Sequence, residues 1–192
     1  MATTADIRNG MTLREEGNVF SVVEFLHVKP GKGGAFVRTK LKNVRTGAVV
    51  DKTYRGGEKI EEVRLERRPM DYIYSDGDSY YFMDSTTYEQ KPVPEDLLKG
   101  MLVFLKEGTK VTVLYAGEEV VGIELPTFCD LVVEKTDPGV KGDTASGGSK
   151  PATLETSAIV AVPLFVNEGD VVRVDTRTGA YVERVAKRQE VG

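Results

Sequence analysis

The sequence predicts an all-β protein made of small β-barrel modules in series. Three observations predict it. Short alternating runs, dominated by β-branched and aromatic residues, recur along nearly the whole chain. Turn dipeptides separate them at the spacing of barrels and sandwiches rather than of βαβ units. Only one short segment invites a helix.

In chain order, Asn9-Gly10 marks a tight turn ahead of the first long strand, Val19–Val28. Ala35–Asn43 and Ala48–Tyr54 follow, joined by Arg45-Thr46-Gly47, a three-residue connection with glycine at the left-handed position. Tyr72–Tyr74 and Ser79–Met83 flank the turn Asp76-Gly77. Pro94-Glu95-Asp96-Leu97-Leu98-Lys99 puts proline and acids in a first turn and predicts the short helix. Lys110–Tyr115 and Glu118–Glu124 flank Ala116-Gly117, and Leu131–Lys135 follows. Thr136–Ser149 is a loop by composition, rich in Gly, Asp, Ser, Thr and Lys. Ala158–Pro163, Val171–Asp175 and Ala180–Ala186 close the chain, the last two joined by Arg177-Thr178-Gly179. Boundaries near residue 65, where the charge sign changes, and near Pro126-Thr127, where a strand ends, divide the chain into 1–64, 65–127 and 128–192.

Residues 1–64 hold 12 basic and 8 acidic side chains, a net of +4. Residues 65–127 hold 6 and 12, a net of −6, and residues 128–192 hold 8 and 10, a net of −2. The net charge of −4 argues against a simple nucleic-acid coat, and the basic excess is concentrated in the first module. No apolar run of about 18 residues exists, so no membrane helix is expected. The first residues lack the basic and apolar regions of a secretory signal. One cysteine, Cys129, excludes an intrachain disulfide and fits a cytoplasmic protein. Its apolar surroundings predict a buried structural thiol. Cys129 and one histidine, His27, cannot make a usual zinc site, and no metal or cofactor is expected.

The segment His27-Val28-Lys29-Pro30-Gly31-Lys32-Gly33-Gly34-Ala35-Phe36 lies between two strands. Pro30 fixes φ and removes a donor, and the glycines permit positive φ, so it reads as a hairpin tip. Lys32 stands between glycines, with no adjacent side chain able to shield or pair with it. A solvated loop lysine is the ordinary reading of such a tip. Arg38, Lys40 and Lys42 alternate along the next strand and share a face. Such a row can be a solvated strand face, or can follow a phosphate backbone, each neutralised phosphate releasing counterions.

No catalytic constellation is present. Gly31-Lys32-Gly33 lacks the spacing and the Ser/Thr of a phosphate-binding loop. A nucleophile–histidine arrangement would have to use His27, which has no motif around it. Glu61-Glu62, Glu95-Asp96 and Glu118-Glu119 are adjacent acids, which a β chain points to opposite faces. Tyr72, Tyr74, Tyr80 and Tyr81 could stack bases, though cross-strand pairing is the commoner use of such tyrosines.

Val28-Lys29-Pro30-Gly31-Lys32-Gly33-Gly34-Ala35-Phe36-Val37-Arg38, followed by Lys40-Leu41-Lys42-Asn43, resembles the signature loop of bacterial translation elongation factor P. The resemblance spans the chain: Ile7-Arg8-Asn9-Gly10-Met11, Phe82-Met83-Asp84 with Thr87-Tyr88-Glu89-Gln90, Lys150–Thr156 and Val162–Asp170 are similar to further family segments. The family pattern usually has glycine where this chain has Ser157, a departure that touches a turn. The resemblance implies an SH3-like (KOW-type) module followed by two OB-folds. It implies a non-enzymatic monomer on the ribosome between the peptidyl and exit sites. There Lys32, enlarged by a lysine-modifying enzyme, reaches the CCA end of the P-site peptidyl-tRNA and relieves stalling at consecutive prolines. It implies RNA contact by Lys29, Arg38, Lys40 and Lys42, and contact with the ribosome by Tyr181 and Arg184. Two alternatives stay open: a paralogue similar to that family, and a generic single-stranded nucleic-acid binder using its OB faces. Against the second stands the acidic charge of residues 65–192.

Overall fold

The structure, a computed structural model, describes residues 1–139 and 148–188. It is 57% strand and 5% helix, which makes the protein all-β. Among the described residues the strands form three sheets. The first holds β1 (Ala2–Thr3), β2 (Thr12–Glu15), β3 (Asn18–Val28), β4 (Phe36–Asn43), β5 (Val49–Arg55) and β6 (Lys59–Glu62), in the order β1-β6-β2-β3-β4-β5. The second holds β7 (Leu65–Ser75), β8 (Ser79–Asp84), β9 (Gln90–Pro94), β10 (Lys110–Ala116) and β11 (Glu119–Glu124), in the order β11-β10-β7-β8-β9. The third holds β12 (Phe128–Thr136), β13 (Ser149–Leu154), β14 (Ile159–Pro163), β15 (Val171–Asp175) and β16 (Ala180–Ala186), in the order β14-β13-β12-β15-β16.

All the predicted strands are present, and five further ones escape the pattern. β1 is two residues long, and β2 and β6 are four each with one buried apolar residue, Leu13 and Ile60. Such lengths show no alternation. β9 carries Pro92 and Pro94, which read against a strand, but it is an edge strand, where a missing N–H is tolerated. In β13, Pro151 lies just past the ladder with β12, which runs only to Ala152. The expected helix is a single 3-10 turn, Glu95–Leu97. The predicted loop over Thr136–Ser149 falls mostly outside the described residues.

The chain divides into two compact units, Met1–Arg68 with Val113–Ile123, and Pro69–Thr112 with Glu124–Gly192. In the first, Leu13, Val22, Val37, Leu41, Tyr54 and Ile60 build one cluster. Full burial of such side chains contributes about 1.5–3 kcal/mol each. Val19, Leu114 and Val121 build a second, with Val44 and Leu65 against it. Gly122 permits this approach: a Cβ there would lie 3.2 Å from the Val44 carbonyl oxygen. In the second unit, Leu131, Val133, Leu154, Val160, Val162, Val172 and Val174 form the core, and Phe104 packs against it. Around Phe104, the Thr156 hydroxyl donates to the Val103 carbonyl and Lys106 pairs with Glu155 at 3.3 Å.

The two Arg-Thr-Gly connections are built alike. Gly47 (φ +74°) donates to the Asn43 carbonyl and Gly179 (φ +72°) to the Asp175 carbonyl, both at 2.8 Å. Asn43 Oδ1 and Asp175 Oδ1 each accept from the backbone two residues on, at 2.8 and 2.9 Å. Only the left-handed glycine lets the chain re-enter the next strand.

Ser157 turns β13 into β14 with φ +69°. It therefore holds the conformation that glycine adopts freely, at a strain of about 1–2 kcal/mol for an L residue. Glycine loses roughly 0.5–1 kcal/mol more conformational entropy on folding, which offsets part of the relief. Ser157→Gly is expected to stabilise the protein by about 0.5–1 kcal/mol. Urea midpoints of the two proteins check this, and a lower midpoint for the glycine variant would refute it.

Candidate nucleic-acid interface

β3 and β4 pair antiparallel from Phe20↔Asn43 to Val28↔Phe36. The register shifts between Val22 and Glu24, leaving Val23 as a bulge. Beyond the bulge, Glu24–His27 are all exposed, so this half of β3 carries little of the core. The hairpin tip, residues 29–35, is exposed throughout. Of its three glycines only Gly33 uses positive φ, at +110°. Gly56 N donates to the Ala35 carbonyl at 2.7 Å and ties down the base of the tip. Lys32 is exposed, as is Lys29, and among the described residues neither makes a hydrogen bond or ion pair.

β4 alternates with a period of two. Val37, Thr39 and Leu41 are buried, the Thr39 hydroxyl donating to the Lys52 carbonyl at 2.8 Å. Arg38, Lys40 and Lys42 therefore face solvent together. Their surroundings differ. The Arg38 guanidinium lies 5.5 Å from the Phe36 ring centroid, and Lys42 has no ion-pair partner among the described residues. Lys40 Nζ pairs with Glu24 at 3.0 Å and lies across from Asp51 on β5. The Glu24 carboxylate, accepting a hydrogen bond from the Lys40 ammonium, pushes it above its ordinary pKa, with the Asp51 charge adding to the shift. The register brings in one cation that alternation along β4 does not reveal: Arg55, exposed and directly opposite Phe36.

Tyr181 and Arg184 lie on β16, in the second unit. Tyr181 packs against the core there, and burial pushes its phenol up. Arg184 Nη1 donates to Asp170 Oδ2 and to the Phe165 carbonyl, both at 3.3 Å, with its guanidinium 4.8 Å from the Phe165 ring centroid. Asp170 is 2% exposed and also accepts from the backbone N–H of Asn167 (2.9 Å) and Arg188 (2.8 Å). Burial pushes its carboxyl up, but these donors outweigh burial and hold it below the usual carboxylate range. The tyrosines are cross-strand pairs: Tyr74 stacks on Tyr81 at 4.6 Å, and Tyr72 packs on Phe82 at 5.5 Å. Cys129 is half-buried, and burial raises its thiol to about 11. No helix among the described residues is long and apolar enough to cross a membrane.

A series of small, curled β sheets with a cationic hairpin defines a class, the serial β-barrel proteins of KOW-like and OB type. Family models narrow it. The elongation factor P KOW-like domain matches residues 3–60, the elongation factor P OB domain residues 65–123, and the elongation factor P C-terminal domain residues 129–184. Elongation factor P of Moorella thermoacetica is 55% identical over 184 residues, spanning 96% of this chain and 100% of the relative. That of Thermoanaerobacter sp. strain X514 is 56% identical over 185 residues, at the same coverage. Among solved structures, the eukaryotic translation initiation factor 5A from Methanococcus jannaschii overlays 65% of this chain and 92% of its own, at a TM-score of 0.45 and 23% identity. The chain belongs to the elongation factor P family, and its relatives support a role in translation elongation.

Proposed function

We propose that this chain binds the ribosome beside the P-site peptidyl-tRNA, between the peptidyl and exit sites, and promotes peptide bond formation at consecutive prolines. The observation that carries the proposal is Lys32, exposed at the tip of the β3–β4 hairpin and without a hydrogen bond or ion pair among the described residues. Enlarged by a lysine-modifying enzyme, it reaches the CCA end of the tRNA. Proline's ring constrains the backbone and makes it a slow donor and acceptor. Holding the CCA end in reactive geometry lowers the entropic part of the barrier without an acid or base from the protein. The cationic side chains Lys29, Arg38, Lys40 and Lys42 give this hairpin an RNA-facing surface, and the factor acts as a cytoplasmic monomer with modules at 1–64, 65–127 and 128–192. Tyr181 and Arg184 form a secondary ribosome contact.

Ribosome affinity measured against salt tests the RNA contacts. Arg38→Ala and Lys42→Ala are each expected to weaken binding and to reduce the salt slope by about one unit, the signature of a lost phosphate. Unchanged slopes across alanine variants of Lys29, Arg38, Lys40 and Lys42 would reject the electrostatic reading. Tight binding to bare oligonucleotides, matching that to tRNA-loaded ribosomes, would point instead to a general single-strand binder.

A further inference from the structure

The outward face of the β3–β4–β5 sheet is ordered in rows by its register. From the tip inward they are Val28–Phe36–Arg55, Leu26–Arg38–Thr53, Glu24–Lys40–Asp51 and Ser21–Lys42–Val49. Directly opposed residues on antiparallel strands share a face, so each row is a line of neighbouring side chains. Charge is unevenly distributed among them. The first two rows hold two guanidiniums and no carboxylate. The third holds one ammonium between two carboxylates, one of them at 3.0 Å. We infer that an RNA phosphodiester is held at the tip-proximal end of this face, by Arg55 and Arg38 around Phe36, and that Glu24 and Asp51 exclude phosphate from Lys40.

The inference rests on the RNA-contacting reading above and goes beyond it in adding Arg55 and demoting Lys40. Tyr54 points into the core at 2% exposure, so Arg55 next to it points out. Among the described residues its guanidinium has no ion-pair partner; Glu58 accepts from its backbone N–H at 2.9 Å. Arg38 and Arg55 are diagonal neighbours, which on antiparallel strands lie about 7–8 Å apart, within reach of two planar forks closing on one phosphate. Phe36 lies between them, and its ring already holds the Arg38 guanidinium at 5.5 Å. Arginine placed against an aromatic face loses less freedom on binding than a free lysine does. A recess of about 430 Å³ opens alongside, with Leu26, Arg38 and Thr53 on one flank and Glu24, Lys40 and Asp51 on the other. Leu26 is 59% exposed and offers an apolar rest for a ribose or base. A phosphate moved one row inward meets a net negative charge.

Arg55→Ala, Arg38→Ala, Lys40→Ala, Lys42→Ala and Glu24→Gln in the full chain test this, each titrated over a salt series. The probes are an RNA minihelix with a single-stranded CCA end and ribosomes carrying P-site tRNA. Arg55→Ala and Arg38→Ala are each expected to weaken binding severalfold and to lower the salt slope by about one. Lys40→Ala should change affinity less than twofold, and Glu24→Gln should strengthen binding. If Arg55→Ala binds like the parent while Arg38→Ala does not, the inference falls and the RNA reading stands. If Lys40→Ala loses as much as Arg38→Ala, exclusion by the carboxylates is wrong. If none of the four alanine variants changes affinity or slope, the RNA reading falls as well.

Discussion

Lys32→Ala is expected to leave the fold intact and to abolish the factor's benefit at proline runs. The side chain is exposed, makes no hydrogen bond or ion pair among the described residues, and lies between Gly31 and Gly33 in a tip that carries no core. Its removal should shift stability by no more than about 0.5 kcal/mol, the range of ordinary surface changes. Activity has a different dependence. If one extended side chain is the group that reaches the peptidyl-transferase end, no other residue compensates for its loss. Synthesis of a protein with consecutive prolines should slow on the order of tenfold or more, since tenfold corresponds to about 1.4 kcal/mol of lost positioning. A proline-poor control should be synthesised at the parent rate. Lys32→Arg separates charge from modification: it keeps the cation, but an enzyme specific for lysine would not act on it, and a planar guanidinium does not substitute for an ammonium. Two results would refute the mechanism: rescue of proline runs by the alanine variant at the parent rate, or loss of both proteins' synthesis alike. A melting temperature lowered by many degrees would make Lys32 a structural residue.

Much of this geometry is legible in the residues because β structure writes it at a period of two. Val37, Thr39 and Leu41 alternate with Arg38, Lys40 and Lys42, so the cationic face follows from one strand. What one strand cannot reveal is its register with the next. Arg55 lies 19 positions after Phe36 along the chain, and only the pairing of β4 with β5 makes them neighbours. The same pairing sets Asp51 against Lys40, and the bulge at Val23 decides that Glu24 is the residue opposite. The short strands were hidden for a related reason: β2 and β6 exist because neighbours supply their hydrogen bonds, not because four residues specify a strand. Ser157 shows the reverse case, where the tertiary turn imposes φ +69° on a residue whose own preference is otherwise.

Arg184 is where the sequence reading and the geometry bear most differently on one residue, and Asp170 provides the test. The Asp170 carboxylate is nearly inaccessible and gathers three donors: two backbone N–H groups, on Asn167 and Arg188, and the Arg184 guanidinium. Asp170→Ala would leave both N–H groups without their acceptor and the guanidinium with the Phe165 carbonyl but no counter-charge. Each buried donor left unmade costs about 1–3 kcal/mol, and breaking a buried ion pair on one side about 3–5 kcal/mol. Arg184 keeps some exposure, 21% of its side chain, so water recovers part of that loss. The expected destabilisation is about 3 kcal/mol, or roughly 6–12 °C in melting temperature for a chain of this size. Acid should act in the same direction on the parent. The folded carboxyl titrates below its unfolded value of about 3.9, so its contribution is complete above that pH and is lost as pH falls further. Asp170→Ala should therefore have a flatter stability profile than the parent below about pH 4. Arg184→Ala, measured alongside, separates the two roles of the arginine. If it lowers stability and the double variant with Asp170→Ala is little worse than Asp170→Ala alone, the pair is a structural unit and its effect on the ribosome is indirect. If stability is unchanged while ribosome binding falls, Arg184 is a contact residue and the carboxylate is held by its backbone donors alone. A loss below about 1 kcal/mol for Asp170→Ala would mean that water reaches the freed donors, and the three-donor cradle would not be a stabilising feature of this module.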